Sequence, residues 1–204
     1  MKRLSCRLLT STLLALGISF AAQAQPAAAP DVPVVTLTQP RSRLSPHETI
    51  NFPISADNRV IIVYGRPYTK DPKNGKDRTV WDGKLVPSGK IWRLGADEAT
   101  LLITPKSLVF GDGDTAVHLS PGIYSMYLFP VSKDKVYLVI NKQFGQWGLV
   151  YDQTQDVCRL IMNKAKLSEP IHQFQMGFDK APGGGVIKLM WEDTQFSLPF
   201  KLVR

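Results

Sequence analysis

The sequence predicts an all-β fold, an antiparallel β-sandwich or jelly roll of about ten strands with little helix. Three observations support this prediction. Apolar residues alternate with polar ones along most of the chain after residue 33, and no window of helical length carries a 3.6-residue apolar stripe. Clusters of Gly, Pro, Asp and Ser also interrupt the apolar runs at short intervals, as turns between strands do.

The strand candidates follow one another with turn chemistry between them. ETINFPIS (48–55) alternates strictly, as expected of a strand with one buried face, whereas NRVIIVYG (58–65) is apolar on both faces and predicts a central strand. Turns such as GDGD (111–114) and APGGG (181–185) separate later candidates. The later candidates are residues 100–104, 115–119, 123–131, 136–141, 157–162, 171–178, 186–191 and 195–202.

The first 24 residues have the three parts of a secretory signal peptide. A basic start (Lys2, Arg3, Arg7) precedes an apolar run from Leu8 to Phe20, and Ala22-Gln23-Ala24 forms a small-residue cleavage site. The apolar run has 13 residues, whereas a membrane-spanning helix needs about 20. We therefore expect cleavage after Ala24, no membrane span in the mature chain, and a periplasmic or extracellular location. Residues 25–33 then form a flexible leader and residues 34–204 a single domain.

Cysteine and charge content exclude several classes of protein. Only Cys158 remains after cleavage, which excludes an internal disulfide and a multi-cysteine zinc site. Residues 66–93 hold eight cations and three anions, and their net charge of +5 equals that of the whole mature chain. This basic segment is interrupted by acids and has few aromatic residues, so nucleic acid is not expected as a partner. The default interpretation of the segment is a solvated loop, and the more specific one is contact with a glycan or another anionic component of the cell envelope.

The basic segment lies in the longest connection of the chain, about 30 residues between a strand ending near Arg66 and one beginning near Thr100. Long connections inside a domain are usually either functional or disordered. Tyr68, Trp81 and Trp92 indicate that this one packs onto the sandwich.

RLGADEA (93–99) ends this connection and places an arginine beside two adjacent carboxylates. On a strand, Asp97 and Glu98 would point to opposite faces, but in a tight turn both can approach Arg93. We expect an Arg93–carboxylate pair that closes the basic segment onto the sandwich. Whether one of the carboxylates also serves as a general base or contacts a ligand stays open at this point.

Other polar residues stand at predicted strand ends, where sandwich folds build their sites. SPHETI (45–50) offers His47 for acid–base chemistry, but no H-x-H or H-x-x-x-H spacing accompanies it, so neither a dedicated metal site nor a cofactor is predicted. VYGRPY and NKQFGQWG supply polar residues that can bind a ligand, although Trp147 can equally cap the core. The ligand-binding candidates are Arg66, Arg93, Lys142, Gln146 and Trp147.

Several strings resemble, in order, a known bacterial family. They are SPHETINF, VYGRP, VPSGKIWRLGADEAT, PGIYSMYLFP, NKQFGQWG and GGGVIKLMWEDTQFSLPF. The sequence is similar here to the exported proteins grouped as domain of unknown function 2911 (DUF2911), over residues 45 to about 200. The resemblance implies an exported bacterial domain and brings no activity with it.

The sequence is compatible with three functions, and it does not decide whether the protein is an enzyme. The first is an exported module that binds a polar or anionic ligand such as a glycan. The second is a hydrolase with Asp97 or Glu98 as base, His47 as its partner and Arg66 or Arg93 at an oxyanion. The third is an envelope interaction module whose charges form an internal network, in which case Arg93→Leu would leave a buried carboxylate unpaired.

Overall fold

The computed structural model describes residues 43–203, which form two antiparallel β-sheets. The strands are β1 (His47–Pro53), β2 (Arg59–Gly65), β3 (Thr100–Thr104), β4 (Leu108–Phe110), β5 (Val117–Leu119), β6 (Gly122–Ser132), β7 (Lys135–Asn141), β8 (Asp156–Ile161), β9 (Asn163–Ala181) and β10 (Gly184–Leu202). One sheet has the order β1-β2-β3-β6-β7-β8 and the other the order β5-β4-β10-β9. Short 3-10 turns cover Gly113–Thr115 and Gln153–Gln155. No helix within residues 43–203 has the length and apolarity to cross a membrane.

The prediction of an all-β sandwich is confirmed, and three details of the strand assignment differ. The strand predicted at 171–178 is the longer β9, which begins at Asn163. The three-residue strand β4 has too short an alternation to stand out in the sequence. The two strands predicted at 186–191 and 195–202 are one strand, β10, because EDT (192–194) forms a bulge and not a turn. Glu192 adopts a φ of 53° there and the pairing with β9 shifts register on both sides of it. A bulge absorbs an extra residue without reversing the chain. The predicted signal peptide and leader fall outside the described residues.

Strand β1 directs neighbouring residues to opposite faces of its sheet. Along HETINFP, Ile50 and Phe52 are at least half-buried on the face toward the core, while His47, Thr49 and Asn51 are exposed. Glu48 shares the inner face with Ile50. His47 and Glu48 therefore enter different surroundings although they are adjacent in the sequence.

The long basic connection packs onto the sandwich, as its aromatic residues predicted. Trp92 exchanges two 2.8 Å backbone hydrogen bonds with Leu128 of β6. Its indole stacks on Trp191 of β10 with ring centroids 5.8 Å apart and meets Phe174 of β9 edge-on at 5.2 Å. Trp81 packs edge-on against Phe196 at 5.2 Å. Aromatic contacts of this kind add to the free energy of area burial, so the connection is held as part of the core.

Cys158 on β8 is partly buried. Burial raises the pKa of its thiol to about 11, so the thiol is neutral at physiological pH. A neutral, partly buried thiol is a poor nucleophile.

Candidate functional site

Two glycines let the RLGADEA turn lie directly on its neighbours. A Cβ atom on Gly65, the last residue of β2, would lie 2.3 Å from the carbonyl oxygen of Ala96, and one on Gly148 would lie 2.3 Å from Cδ of Arg93. The amide of Gly148 also donates to the carbonyl of Asp97 at 3.0 Å. The turn is thus held between the end of β2 and the loop that follows β7.

The turn itself has an uncommon backbone. Leu94 and Asp97 adopt φ angles of 55° and 65°, in the left-handed region. Asp tolerates this region, but a residue with a large side chain rarely enters it. Leu94 is fully buried, and its carbonyl accepts a 2.7 Å hydrogen bond from the Thr100 hydroxyl. Packing and this hydrogen bond hold the turn in a shape that brings both carboxylates to the same side.

The two carboxylates of the turn meet His47 and Arg43, and we call these four residues the outer cluster. Arg43 donates from Nη1 to Oε2 of Glu98 at 2.5 Å and from Nη2 to Oε1 at 2.6 Å. The same Nη1 lies 2.8 Å from Nε2 of His47 and 3.6 Å from Oδ2 of Asp97. Nε2 of His47 is 3.2 Å from Oε2 of Glu98. The sequence candidates His47, Asp97 and Glu98 are therefore brought together.

Arg43 sets the electrostatics of the outer cluster. Its hydrogen bonds to Glu98 lower the pKa of that carboxyl to about 2, and the same pairing raises the pKa of the guanidinium. The fork of the guanidinium matches the two carboxylate oxygens, which is the strongest form of such a pair. Glu98 is consequently a weak base.

The expected Arg93–carboxylate pair is not the one that forms. Among the described residues, Arg43 contacts Asp97 and Glu98, whereas Arg93 donates from Nε to the carbonyl of Gly95 at 3.4 Å and forms no ion pair. The side chain of Arg93 packs against Gly148. The prediction of a pair that closes the turn was right about the carboxylates and wrong about the arginine. Arg43 was missed because its partner Glu98 is 55 residues away.

Arg66 belongs to a second group, the inner cluster of Glu48, Tyr64 and Arg66. Nε of Arg66 lies 3.2 Å from Oε2 of Glu48 and donates to the carbonyl of Phe174 at 3.2 Å. The buried hydroxyl of Tyr64 donates to Oε2 of Glu48 at 2.5 Å and accepts from the amide of Met176 at 2.9 Å. These bonds tie β1 and β2 of one sheet to β9 of the other. Arg66 does not join the outer cluster.

The candidates in the loop after β7 are divided between core and surface. Gln146 donates its amide group to Ser125 and to Tyr127 at 3.1 and 2.9 Å, so it secures the loop from inside. Trp147 forms a β-bridge with Glu98 and is 44% exposed. The amide of Ala99 donates to the carbonyl of Gln146, and the amide of Gly148 donates to the carbonyl of Asp97. In this type of antiparallel pair, the side chains of Glu98 and Trp147 lie on the same side, with Cβ atoms roughly 5 Å apart. The side chain of Lys142 is exposed and lines none of the described clefts around the turn.

A cleft of about 410 Å³ adjoins the outer cluster. Its walls come from the basic connection, from the start of the described chain and from the loop after β7, and Asp97 belongs to both the cleft and the outer cluster. Three cations line it, Arg78, Lys84 and Arg93, and none of them is ion-paired within the described part of the chain. The apolar part of its lining includes Leu44, Pro67, Leu85, Pro87, Trp92 and Trp191.

Two of these cations, Arg78 and Lys84, were not singled out by the sequence. Arg78 donates to the carbonyls of Tyr68, Thr69 and Lys70, which orients its guanidinium. The available signal was the excess of positive charge in residues 66–93. The excess of charge identifies the basic segment. Which of its cations line the cleft depends on how the segment folds.

A family model described as a protein of unknown function, DUF2911, matches residues 45–200. Neither the curated proteins nor the solved structures contain a match to the chain.

Proposed function

The chain belongs to the DUF2911 family of proteins of unknown function, and we propose that it is an exported domain that binds a small anionic saccharide in the cleft beside the outer cluster. One observation carries the proposal. Three cations without ion-pair partners among residues 43–203 and a single carboxylate surround one cleft. Unpaired cations that share a concave space attract an anion, because low-dielectric walls focus their field.

The size and the lining of the cleft support a small ligand. Ligand sites usually occupy about 300–1,000 Å³ and combine apolar walls with a few polar groups. The cleft has about 410 Å³, and its apolar lining includes prolines, leucines and the buried Trp92 and Trp191. This volume suits a ligand of one or two sugar rings.

The exposed indole of Trp147 supports a saccharide over a simple inorganic anion. Its bridge to Glu98 puts it next to the outer cluster, and Gly148, its neighbour in the sequence, lines the cleft. An exposed indole offers a flat apolar face with a polar edge, which suits a surface that is part apolar and part hydroxylated. The carboxylate of an acidic sugar would then face the cations.

The outer cluster does not favour hydrolysis by Glu98. A general base near neutral pH works best with a pKa close to the operating pH. The bidentate bond from Arg43 lowers the pKa of Glu98 to about 2. Arg66, the other arginine considered for an oxyanion, is bonded to Glu48 and to the backbone of β9. We therefore propose binding as the function that the cleft supports best.

Export is part of the proposal and rests on the leader sequence. The basic start, the apolar run and the Ala22-Gln23-Ala24 site form a signal-peptide pattern. Expression of the full-length gene product in a Gram-negative host should release a protein that begins at Gln25 into the periplasm. Recovery of the uncleaved chain from the cytoplasm alone would contradict export.

Calorimetric titration with a matched pair of disaccharides tests the binding function. Cellobiouronic acid and cellobiose differ by one carboxylate, so the cleft should bind the acidic sugar and give little or no heat with the neutral one. Binding should weaken as salt is added, because the ion pairs involved are partly exposed. Equal affinity for both sugars, or no saturable heat with the acidic one, would contradict the proposal.

A pair of lysine variants tests whether the acidic sugar binds in the cleft. Lys84→Glu removes one attraction and adds one repulsion, each worth about 0.5–1 kcal/mol at an exposed site, so the affinity for the acidic sugar should fall about tenfold. Lys90→Glu changes the same net charge in the same connection, but Lys90 is exposed and does not line the cleft. It should leave the affinity nearly unchanged.

A further inference from the structure

Three electron-pair donors of the outer cluster lie close together. His47 Nε2, one oxygen of Asp97 and one oxygen of Glu98 all lie within 4.8 Å of one another. Two of these donors, His47 Nε2 and Glu98 Oε2, are 3.2 Å apart. His47 comes from β1 and the two carboxylates from the turn before β3, so the donors are held from two directions.

Arg43 shows that this set of donors accepts a cation. Its Nη1 lies 2.5 Å from Glu98 Oε2, 2.8 Å from His47 Nε2 and 3.6 Å from Asp97 Oδ2. A guanidinium nitrogen can only donate hydrogen bonds. With the ring proton on Nδ1, Nε2 of His47 accepts this hydrogen bond from Arg43. An imidazole nitrogen beside two carboxylate oxygens is a donor set of the kind that binds zinc.

We propose that the outer cluster is a divalent transition-metal site, best suited to zinc, in which the metal ion exchanges with the guanidinium of Arg43. Zinc takes imidazole nitrogen and carboxylate oxygen at about 2.0–2.2 Å in tetrahedral geometry, which sets neighbouring donors about 3.4 Å apart. The 3.2 Å separation of His47 Nε2 and Glu98 Oε2 matches this spacing. Imidazole nitrogen favours zinc, copper or nickel over magnesium and calcium.

The site has three protein donors, and the fourth position of a tetrahedral ion is left for water or a ligand. Asp97 is both one of the donors and part of the cleft lining. A metal ion held here would lie at the edge of the cleft. Arg43 is itself 40% exposed in its side chain, so it can move into solvent when a metal ion takes its place.

Local spacing along the sequence gave no indication of this metal site. No second histidine lies near His47 in the sequence. In the fold the other two donors come from a turn about 50 residues further along the chain, and local spacing does not detect such a set.

Titration of the EDTA-treated protein with zinc chloride, in the absence of any saccharide, tests the proposal. Calorimetry should give one saturable zinc site per chain. His47→Ala and Glu98→Gln should each weaken zinc binding by at least about tenfold. Even the loss of a residue that only hydrogen-bonds a metal ligand weakens binding by about that much. Arg43→Gln removes the competing cation and should tighten zinc binding. Cobalt chloride should give visible absorption of a tetrahedral ion in the parent protein and lose it in His47→Ala.

His118→Ala is the matched control, because His118 is exposed on β5 and lies outside the donor set. It should keep the affinity of the parent protein. Circular dichroism of each variant establishes that it is folded before zinc is added. The proposal is overturned if His47→Ala and His118→Ala bind zinc equally, or if Arg43→Gln shows no saturable site. Because no sugar is present, either failure leaves the saccharide proposal to its own titration.

Discussion

His47 and Glu48 are neighbours on β1, yet they belong to two clusters with different surroundings. The exposure of the carboxylates does not distinguish the clusters, since the side chain of Glu48 is 36% exposed and that of Glu98 is 37% exposed. Their partners do. Glu48 bonds to the buried Tyr64, whose hydroxyl also holds the backbone of β9, whereas Glu98 is held by exposed Arg43 and faces His47.

This comparison separates two uses of similar charges. The inner cluster joins the two sheets through backbone groups, so its removal leaves buried polar groups without partners. The outer cluster joins side chains at the surface, and water or a ligand can replace its bonds at small cost in stability. The structural charge network that the sequence allowed for is therefore the inner cluster, and its arginine is Arg66 and not Arg93.

The largest effect is expected from Gly65→Ala, which displaces the turn that carries the outer cluster. The new Cβ would lie 2.3 Å from the carbonyl oxygen of Ala96, and a backbone atom cannot rotate away. Chemical denaturation should show a loss of about 3 kcal/mol in the free energy of unfolding, at the upper end for overpacking. Gly177→Ala is the control, since its nearest neighbour is Met190 Cε at 3.6 Å, and it should be neutral or stabilising. A loss below about 1 kcal/mol in Gly65→Ala would contradict the close contact.

The next effect is expected from Tyr64→Phe in the inner cluster. The substitution removes the partner of the Met176 amide and one of the donors to Glu48. Leaving a buried donor unsatisfied costs about 1–3 kcal/mol, and urea unfolding should show a loss of about 2 kcal/mol. In Tyr124→Phe the lost bond is an exposed one to the carbonyl of Ser120, so no more than about 1 kcal/mol should be lost. Equal losses in both variants would remove the distinction.

Alkaline pH should weaken the contribution of the inner cluster to stability. Burial and the bond to Glu48 raise the pKa of Tyr64 well above the ordinary 10.0 of tyrosine. The native state then keeps a proton that the unfolded chain loses, so the stability contributed by Tyr64 is complete below pH 10 and declines above it. Unfolding measured at about pH 9 and about pH 10.5 should show a steeper decline in the parent protein than in Tyr64→Phe. Parallel declines would show that Tyr64 does not carry the effect.

The smallest effect on stability is expected from Glu98→Gln. Exposed ion pairs contribute about 0.2–1 kcal/mol, and the new glutamine side chain would keep one hydrogen-bond acceptor for Arg43. The free energy of unfolding should change by less than about 1 kcal/mol, while zinc binding weakens as described above. A loss comparable to that of Tyr64→Phe would make the outer cluster structural and contradict the comparison.

The fold was predictable because its signals are local. The alternation of Ile50 and Phe52 with polar residues, and the apolar run of β2, depend only on neighbours in the sequence. The bulge at Glu192 was predicted as a turn because Glu-Asp-Thr has turn composition whichever way the chain continues.

The site was predictable only in part because it is assembled by distant contacts. Asp97 and Glu98 stood out as an adjacent pair, and His47 as a polar residue at a strand end. Their meeting depends on the contact between Gly65 and Ala96, and on Arg43, which lies 55 residues from Glu98. No local pattern encodes either contact.

An NMR titration of the ¹⁵N-labelled protein with cellobiouronic acid tests the central claim most directly, because it locates the ligand as well as detecting it. The account predicts saturable shifts for the backbone amides of Lys84, Arg93 and Gly148 and for the indole of Trp147. A separate cleft is lined by Lys133, Lys164 and Lys166, and that surface and the inner cluster should stay unshifted. Shifts confined to that other surface, or none at all with excess ligand, would contradict a saccharide site in the cleft.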